Sequence, residues 1–249
     1  MALLWSHNET LNDQLTRYEV RTAGATRRLY TNGAFHSQYH PQRLLGGGIW
    51  DLLTLPALFG RQSVERVLLL GVGGGTAIHQ YQKVCQAETI VGIELNPVHI
   101  HIAEQLFDCH GEGIELICAD ACQWVSEHSE QFDVVVDDLF VDGEDDPFRP
   151  NTLDTAWMQA MTRQLGDEGI IIQNHLDLTS ARLVASQHWV KQQFASAILF
   201  ATPCFENVIL ALYRASTAAT TGRASTIAHI RALDAGAARR LDFQTEQLY

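Results

Sequence analysis

The fold of this chain is decided by the stretch Val67-Leu-Leu-Leu-Gly71-Val-Gly73-Gly74-Gly75-Thr76. An apolar run ends there in glycines, at a point where a helix can begin. Glycine has no side chain and adopts positive φ, so such a turn lets the backbone approach a bound nucleotide closely. Downstream, Ile93-Glu94-Leu95-Asn96 puts an acid at the end of a second strand, where it can accept hydrogen bonds from ribose hydroxyls. The two segments together predict a nucleoside-type cofactor site.

Around this stretch, apolar runs alternate with helical patterns. The runs have the length of parallel strands covered on both faces, and they occupy residues 67–70, 90–93, 114–118, 134–136 and 170–172. The helical patterns, with apolar residues three or four apart, occupy residues 76–84, 98–107 and 153–165. This alternation predicts an α/β fold with a doubly wound, mostly parallel, Rossmann-like sheet.

Both ends of the chain have their own patterns. Residues 15–31 alternate as two strands around a glycine-containing turn, and Asn32-Gly33 marks a second turn, so we expect a small N-terminal β unit. Residues 49–53 predict a short helix leading to Pro56. Residues 181–194 predict a helix, followed by a terminal antiparallel strand pair at 197–201 and 208–213, as in methyltransferase-type sheets. We therefore expect three parts: an N-terminal unit (1–60), a cofactor-binding domain (61–215), and a tail (216–249) with a linker-like start and one short helix at 227–233.

Composition narrows the function classes. The chain has 249 residues and a formal net charge of -12, which disfavours binding to nucleic acid backbones. No apolar run is long enough to cross a bilayer and the first residues lack an export signal, so we expect a cytoplasmic protein without a membrane partner. The five cysteines contain no Cys-x-x-Cys pair, and His99 and His101 are two apart on a predicted helix, so we expect neither disulfides nor a metal site. The acidic excess favours a cationic small molecule or simply keeps the protein in solution.

Several motifs occur in a specific order along the chain. They are Tyr30-Thr-Asn32-Gly33, the loop 71–75, Gly92-Ile-Glu94, Ala119-Asp120-Ala121, Phe132-Asp133-Val-Val-Val-Asp137-Asp138 and Ile172-Gln173-Asn174. In this order and spacing the chain resembles the spermidine synthases, which are polyamine aminopropyltransferases built on the class I AdoMet-dependent methyltransferase fold. The resemblance implies S-adenosylmethionine or its decarboxylated form as cofactor.

Site residues follow from the resemblance, position by position. It implies that the glycine loop (Gly71, Gly73, Gly74, Gly75) passes close to the nucleoside and amino-acid portions of the cofactor. It implies that Glu94 holds the ribose, and that Asp120 and Ala121 contact the adenine. It places Asp138, after the fourth strand, at the family's catalytic acid position.

This sequence departs from the family pattern where the tail of the cofactor and the acceptor are recognised. Gly74 stands where the family usually has an Asp that favours decarboxylated AdoMet by repelling a carboxylate. Such a repulsion amounts to about 4 kcal/mol at 4 Å and an intermediate dielectric, so we expect ordinary AdoMet to be tolerated. His36 and the run Ile49-Trp50-Asp51 replace the family's polyamine-orienting Gln and Tyr-His-Glu. The family's second acid after Asp138 is either lost or displaced by one position to Asp142.

Other candidate residues have a functional and a structural interpretation, and both stay open. Trp50, Trp157 and Phe140 either enclose an acceptor or belong to the core. His175 is either a base near the acceptor or a hydrogen-bonding structural residue. The acidic run of Asp142 with 144–146 either attracts a cationic amine or forms a hydrated loop.

Three functions are compatible with these features. The favoured one is a spermidine synthase-like transferase that moves a methyl group from AdoMet to a small acceptor, which includes cationic amines. The second is a polyamine aminopropyltransferase. The third is a catalytically silent nucleotide-binding protein. The sequence does not decide whether the protein forms a homodimer. A nicotinamide dehydrogenase is least favoured, because Thr76 occupies the last glycine position of its usual turn.

Overall fold

The part of the chain that the structure describes forms two β-sheets. The computed structural model describes residues 1–11, 14–60, 63–140, 148–149 and 153–249. The first sheet is antiparallel, and its four strands are paired in chain order: β1 (Ala2–Leu11), β2 (Gln14–Ala23), β3 (Thr26–Thr31) and β4 (Ala34–Tyr39). Asn32 and Gly33 both have positive φ between β3 and β4, which is the geometry of a tight hairpin turn. The predicted N-terminal β unit is confirmed, and β1 extends it by a strand that the sequence did not signal.

The second sheet has eight strands. They are β5 (Arg66–Leu70), β6 (Thr89–Glu94), β7 (Ile114–Cys118), β8 (Phe132–Asp137), β9 (Leu165–His175), β10 (Ser196–Ala201), β11 (Val208–Tyr213) and β12 (Gln244–Gln247). Their spatial order is β12-β10-β11-β9-β8-β5-β6-β7. The pairs within the run β9-β8-β5-β6-β7 are parallel. Strand β11 pairs antiparallel with both β9 and β10, and β12 pairs antiparallel with β10. The predicted Rossmann-like sheet with a terminal antiparallel pair is confirmed.

Helices cover this sheet on both faces. They are α1 (Ile49–Thr54), α2 (Ala57–Gly60), α3 (Thr76–Gln80), which continues as a π-helical turn (Tyr81–Cys85), α4 (Pro97–Leu106), α5 (Ala121–Glu127), α6 (Thr155–Thr162), α7 (Leu178–Ser186), α8 (His188–Gln193), α9 (Ala219–Leu233) and α10 (Ala235–Arg240). Within the described ranges, no helix is both long enough and apolar enough to cross a membrane.

Strand β5 shows why its sequence is apolar throughout. Val67 and Leu69 pack into one hydrophobic layer, and Leu68 and Leu70 pack into the other. All four side chains are at most 1% exposed. Successive side chains of a strand point to opposite faces, so a strand covered on both sides has to be apolar at every position.

Two helix predictions differ from the structure in their boundaries. The helix predicted at 153–165 is too long at its carboxyl end, because α6 ends at Thr162 and Leu165 already begins β9. The pattern at 181–194 is two helices, since Gln187 has extended ψ (133°) and separates α7 from α8. Periodicity does not reveal such a local break, because the apolar spacing continues across it.

The linker predicted after residue 215 is wrong. Helix α9 covers most of that segment, and a Cβ added at Gly222 would lie 2.3 Å from the ring of Phe59. The small residues that resemble a linker in the sequence therefore allow this helix to pack closely on its neighbour. The chain then ends with β12, which extends the central sheet by pairing with β10.

Candidate functional site

The carboxyl ends of the central parallel strands open into one cavity of about 550 Å³. In open α/β sheets, ligands bind at this edge. The predicted site residues that line it are Gly71, Gly73, Glu94, Asp120, Ala121, Asp138, His36, Trp50 and Phe140. Four predicted residues lie outside the lining: Gly74, Gly75, Asp51 and His175. Asp142 and the acidic run 144–146 fall outside the described residues.

The glycine loop needs its glycines for different reasons. Gly71 has φ +87°, and a Cβ there would lie 2.4 Å from the carbonyl oxygen of Asp138. Gly75 has φ +78° and precedes α3, where a Cβ would lie 2.5 Å from Sγ of Cys109. Gly71 therefore brings the backbone to the cavity wall, whereas Gly75 allows the helix to start against the core.

Gly74 faces away from the cavity. A Cβ there would lie 2.8 Å from Cβ of Ser37 and 3.0 Å from the ring of Phe107, and the Gly74 N–H donates to Oγ of Ser37 over 2.7 Å. A carboxylate at this position would have to displace one of those neighbours. The resemblance implied that Gly74 lies next to the cofactor. In the structure Gly74 packs instead against Ser37 of the N-terminal sheet and Phe107 at the end of α4.

Glu94 supports the loop as well as lining the cavity. One of its oxygens accepts hydrogen bonds from the N–H groups of Val72 (3.0 Å) and Gly73 (2.9 Å), and the other accepts from the N–H of Asn96 (2.9 Å). Burial alone would raise the pKa of Glu94, but His99 and these N–H groups hold it below its ordinary value. A carboxylate has about four acceptor positions, and backbone N–H groups take three of those of Glu94, so a ligand hydroxyl would share the remainder with His99.

The remaining cofactor candidates lie at the start of α5. Asp120 is the N-cap of this helix, and its Oδ1 accepts from the N–H groups of Cys122 (2.7 Å) and Gln123 (3.1 Å). The cap fixes where the helix begins and so holds Ala121 and Cys122 at the cavity wall. The sequence analysis did not predict this helix.

Asp138 lines the cavity immediately after β8. The side-chain amide of Asn174 donates a 2.8 Å hydrogen bond to its Oδ1, and Asn207 donates to Asn174 over 3.0 Å. Burial raises the pKa of Asp138 to about 7, although Asn174 and the charge of Arg149 oppose this shift. Near neutral pH the group can therefore both accept and release a proton.

Asp137 belongs to a polar cluster on the other face of the sheet. Its carboxylate accepts hydrogen bonds from Nε1 of Trp157 (2.9 Å) and from the Gln173 amide (3.0 Å), and it forms an ion pair with Arg149. Trp157, considered above as part of an acceptor enclosure, is thus a structural partner of Asp137. The alternation of strand side chains places Asp137 and Asp138 on opposite faces, as expected from the sequence.

Two predicted acceptor residues are buried elsewhere. Asp51 accepts from the N–H groups of Gly46 (2.9 Å) and Gly47 (2.8 Å) and from the Gln80 amide (2.6 Å), so it fixes the turn before α1. His175 is fully buried, and its Nδ1 lies 3.1 Å from Oγ of Ser180. Burial and the charge of Arg149 lower the pKa of His175 to about 4, so it stays neutral at physiological pH. Neither side chain reaches the cavity.

Some lining residues were missed by the sequence analysis. The apolar ones are Phe35, Leu95, Leu176 and Phe205, and the polar ones are His99, Asn174 and Asn207. His99 was considered only as a metal ligand; its Nδ1 lies 3.7 Å from Oε1 of Glu94, and its Nε2 lies 2.9 Å from Oγ1 of Thr31. In the described part of the chain, no group of three His, Cys, Asp or Glu side chains is placed to hold a metal ion.

Comparisons with known proteins agree with this architecture. Residues 67–169 match a family model described as a methyltransferase domain. A probable spermidine synthase from Corynebacterium glutamicum superimposes with a TM-score of 0.75 at 17% identity, over 99% of this chain and 91% of that chain. The chain has a methyltransferase fold of the spermidine synthase-like kind.

Two further similar proteins are named as a polyamine aminopropyltransferase and a spermidine synthase. Polyamine aminopropyltransferase 2 of Ralstonia nicotianae is 28% identical over 177 residues, which is 65% of this chain and 32% of that protein. This chain thus spans about a third of the length of that curated relative. A spermidine synthase solved in complex with the transition-state analogue AdoDATO has a TM-score of 0.65 at 13% identity, over 86% of this chain and 74% of that chain.

Proposed function

We propose that this protein binds AdoMet in the cavity at the strand ends and transfers its methyl group to a small acceptor. The observation that carries the proposal is the placement of Gly71, Glu94 and Asp138 at the ends of three adjacent parallel strands, on the wall of one cavity. The methyltransferase domain match and the names of the similar proteins support it. A cytoplasmic location belongs to the same proposal.

The residues present fit this cofactor. Gly71 lines the cavity and lets the end of β5 approach the backbone of Asp138, the carboxylate of Glu94 would accept from a ribose hydroxyl, and Asp120 with Ala121 forms the wall where the adenine would lie. AdoMet supplies a carbon attached to a sulfonium leaving group, so the reaction needs alignment and exclusion of water more than acid–base assistance. Asp138 would orient the acceptor and take up a proton from it when the acceptor is an amine.

Methyl transfer is favoured over aminopropyl transfer by the absence of an acid from the loop 71–75. The loop adds no carboxylate to those of Glu94, Asp120 and Asp138, which line the cavity. A loop charge that would repel the carboxylate of AdoMet is therefore missing. The second candidate function is aminopropyl transfer from decarboxylated AdoMet, which the names of the relatives favour.

Calorimetry with three nucleosides tests the proposal. AdoMet, decarboxylated AdoMet and methylthioadenosine are titrated into the protein under identical conditions. We expect all three to bind, with AdoMet at least as tight as the decarboxylated form. A large preference for decarboxylated AdoMet would replace methyl transfer by the second function. Failure of all three to bind would remove the cofactor site itself.

A further inference from the structure

Part of the cavity wall is formed by the carboxyl group of Asp138 and by large apolar side chains. We call this part the acceptor end of the cavity. Three carboxyl groups line the described part of the cavity, those of Glu94, Asp120 and Asp138. Backbone N–H groups use most of the acceptor positions of Glu94 and one oxygen of Asp120, whereas Asp138 accepts one side-chain hydrogen bond from the described residues, that of Asn174. Asp138 is therefore the described acid best placed to hold a cationic acceptor.

Apolar side chains form the rest of this end. Phe35 and Trp50 meet edge to face with their centroids 5.2 Å apart, and Phe140, Leu176 and Phe205 complete the wall. Phe35 and Leu176 are each 40% exposed, so a ligand that covers them removes apolar surface from water. Aromatic faces also attract a cation that has lost part of its hydration shell.

A long diamine does not fit this arrangement. Of the three carboxyl groups that line the described part of the cavity, Glu94 and Asp120 are assigned to the proposed cofactor, so a second ammonium group finds no further acid among the described lining residues. Asp51, at the position where the resemblance implies acceptor recognition, accepts from Gly46, Gly47 and Gln80 and does not line the cavity. An ammonium group held against the apolar wall without a partner would carry a desolvation cost.

Building on the proposed function, we infer that the acceptor is a monoamine with an aromatic or bulky apolar body. Its ammonium group pairs with Asp138, and its body lies against Phe35, Trp50 and Phe140. In the transfer step the amine first loses a proton to Asp138. The nitrogen then forms a bond to the methyl carbon as the carbon–sulfur bond breaks, and the sulfur leaves as a neutral thioether.

The test uses the protein saturated with S-adenosylhomocysteine, which has no methyl group to transfer. Calorimetry at about pH 8, where Asp138 is ionised, compares three probes: 2-phenylethylamine, putrescine and the uncharged 2-phenylethanol. We expect 2-phenylethylamine to bind at least about tenfold more tightly than either of the others. Asp138→Asn should remove its advantage over the alcohol, whereas Asp242→Asn, the same change at an exposed site outside the cavity, should preserve it.

The outcomes separate this inference from the proposed function. If S-adenosylhomocysteine binds and putrescine binds as tightly as 2-phenylethylamine or more tightly, the monoamine inference is wrong and the cofactor site stands. The inference is equally wrong if neither amine binds at millimolar concentration, or if Asp138→Asn leaves the amine preference intact. If S-adenosylhomocysteine itself does not bind, the proposed function fails and the inference fails with it.

Discussion

The Arg149 guanidinium forms a buried ion pair with the carboxylate of Asp137, and the two side chains are 9% and 0% exposed. Arg149 also donates to the carbonyl oxygen of Asn174 over 2.6 Å, and it lies over the ring of Phe140. Asn174 and Phe140 both line the cavity, whereas Asp137 lies on the opposite face of the sheet. The Arg149–Asp137 ion pair therefore connects the cavity wall at Asn174 and Phe140 with the polar cluster on the opposite face of the sheet.

Breaking this pair should destabilise the protein strongly. Arg149→Met leaves the Asp137 charge buried without its partner, which costs about 3–5 kcal/mol of unfolding free energy. Arg182→Met is the matched control, because Arg182 and Glu246 are about half exposed and such pairs contribute about 1 kcal/mol or less. Urea unfolding of both variants measures the difference. Equal losses in the two variants would show that the Asp137 pair contributes no more than a surface pair.

The pKa of Asp138 should respond to its hydrogen-bond partner. Asn174 donates to the ionised carboxyl group and stabilises it, so Asn174→Ala should raise the pKa further, by up to about 1 unit. Asn207→Ala is the control, since Asn207 contacts Asn174 and has no hydrogen bond to Asp138. Carbon NMR titration of the Asp carboxyl groups measures the shift directly. A lowered pKa in Asn174→Ala would contradict the hydrogen-bond assignment.

The sequence was sufficient to predict the central sheet and the edge where its parallel strands end, because most strands of the parallel core contain a continuous apolar run. Alternation along the strands also explains the candidates that failed. Asn174 shares a face with Asp138, whereas His175, one residue later, shares a face with Asp137. The directions of Gly74 and Asp51 depend instead on contacts with Ser37 and Gln80, which are distant in the sequence, so a local pattern could not reveal them.

Glu94 should contribute to cofactor binding in two ways. Glu94→Ala removes the proposed ribose contact and also frees the N–H groups of Val72 and Gly73 that it holds in the loop. We expect the affinity for S-adenosylhomocysteine to fall by about tenfold to a hundredfold, the range for hydrogen bonds to a charged group. Glu115→Ala, an exposed acid on the neighbouring strand β7, should leave calorimetric binding unchanged. Unchanged affinity in Glu94→Ala would mean that the ribose lies elsewhere.

Gly71 and Gly33 share a backbone conformation in different surroundings. Their φ angles are +87° and +88°, but a Cβ would lie 2.4 Å from the Asp138 carbonyl oxygen at Gly71 and would meet nothing within 4 Å at Gly33. Gly33→Ala should therefore cost only the backbone strain, about 1–2 kcal/mol. Gly71→Ala should cost about 1–3 kcal/mol more, because the end of β8 must move. Urea unfolding of the two variants checks the difference, and equal costs would refute the close approach.

His175 should make the fold sensitive to acid. Its pKa is about 4 in the folded protein and about 6.5 when exposed, so between these values only the unfolded chain binds the proton. The contribution of neutral His175 to the free energy of unfolding is roughly 3 kcal/mol. It is fully present above pH 6.5 and is lost as the pH falls toward 4. His175→Gln should remove this part of the acid dependence, whereas His188→Gln, at an exposed histidine that begins α8, should keep it. Unfolding free energies measured across this pH range decide the matter. If His175→Gln kept the full wild-type loss, the pKa of His175 would have to be the same in the folded and the unfolded chain, and burial could not be lowering it.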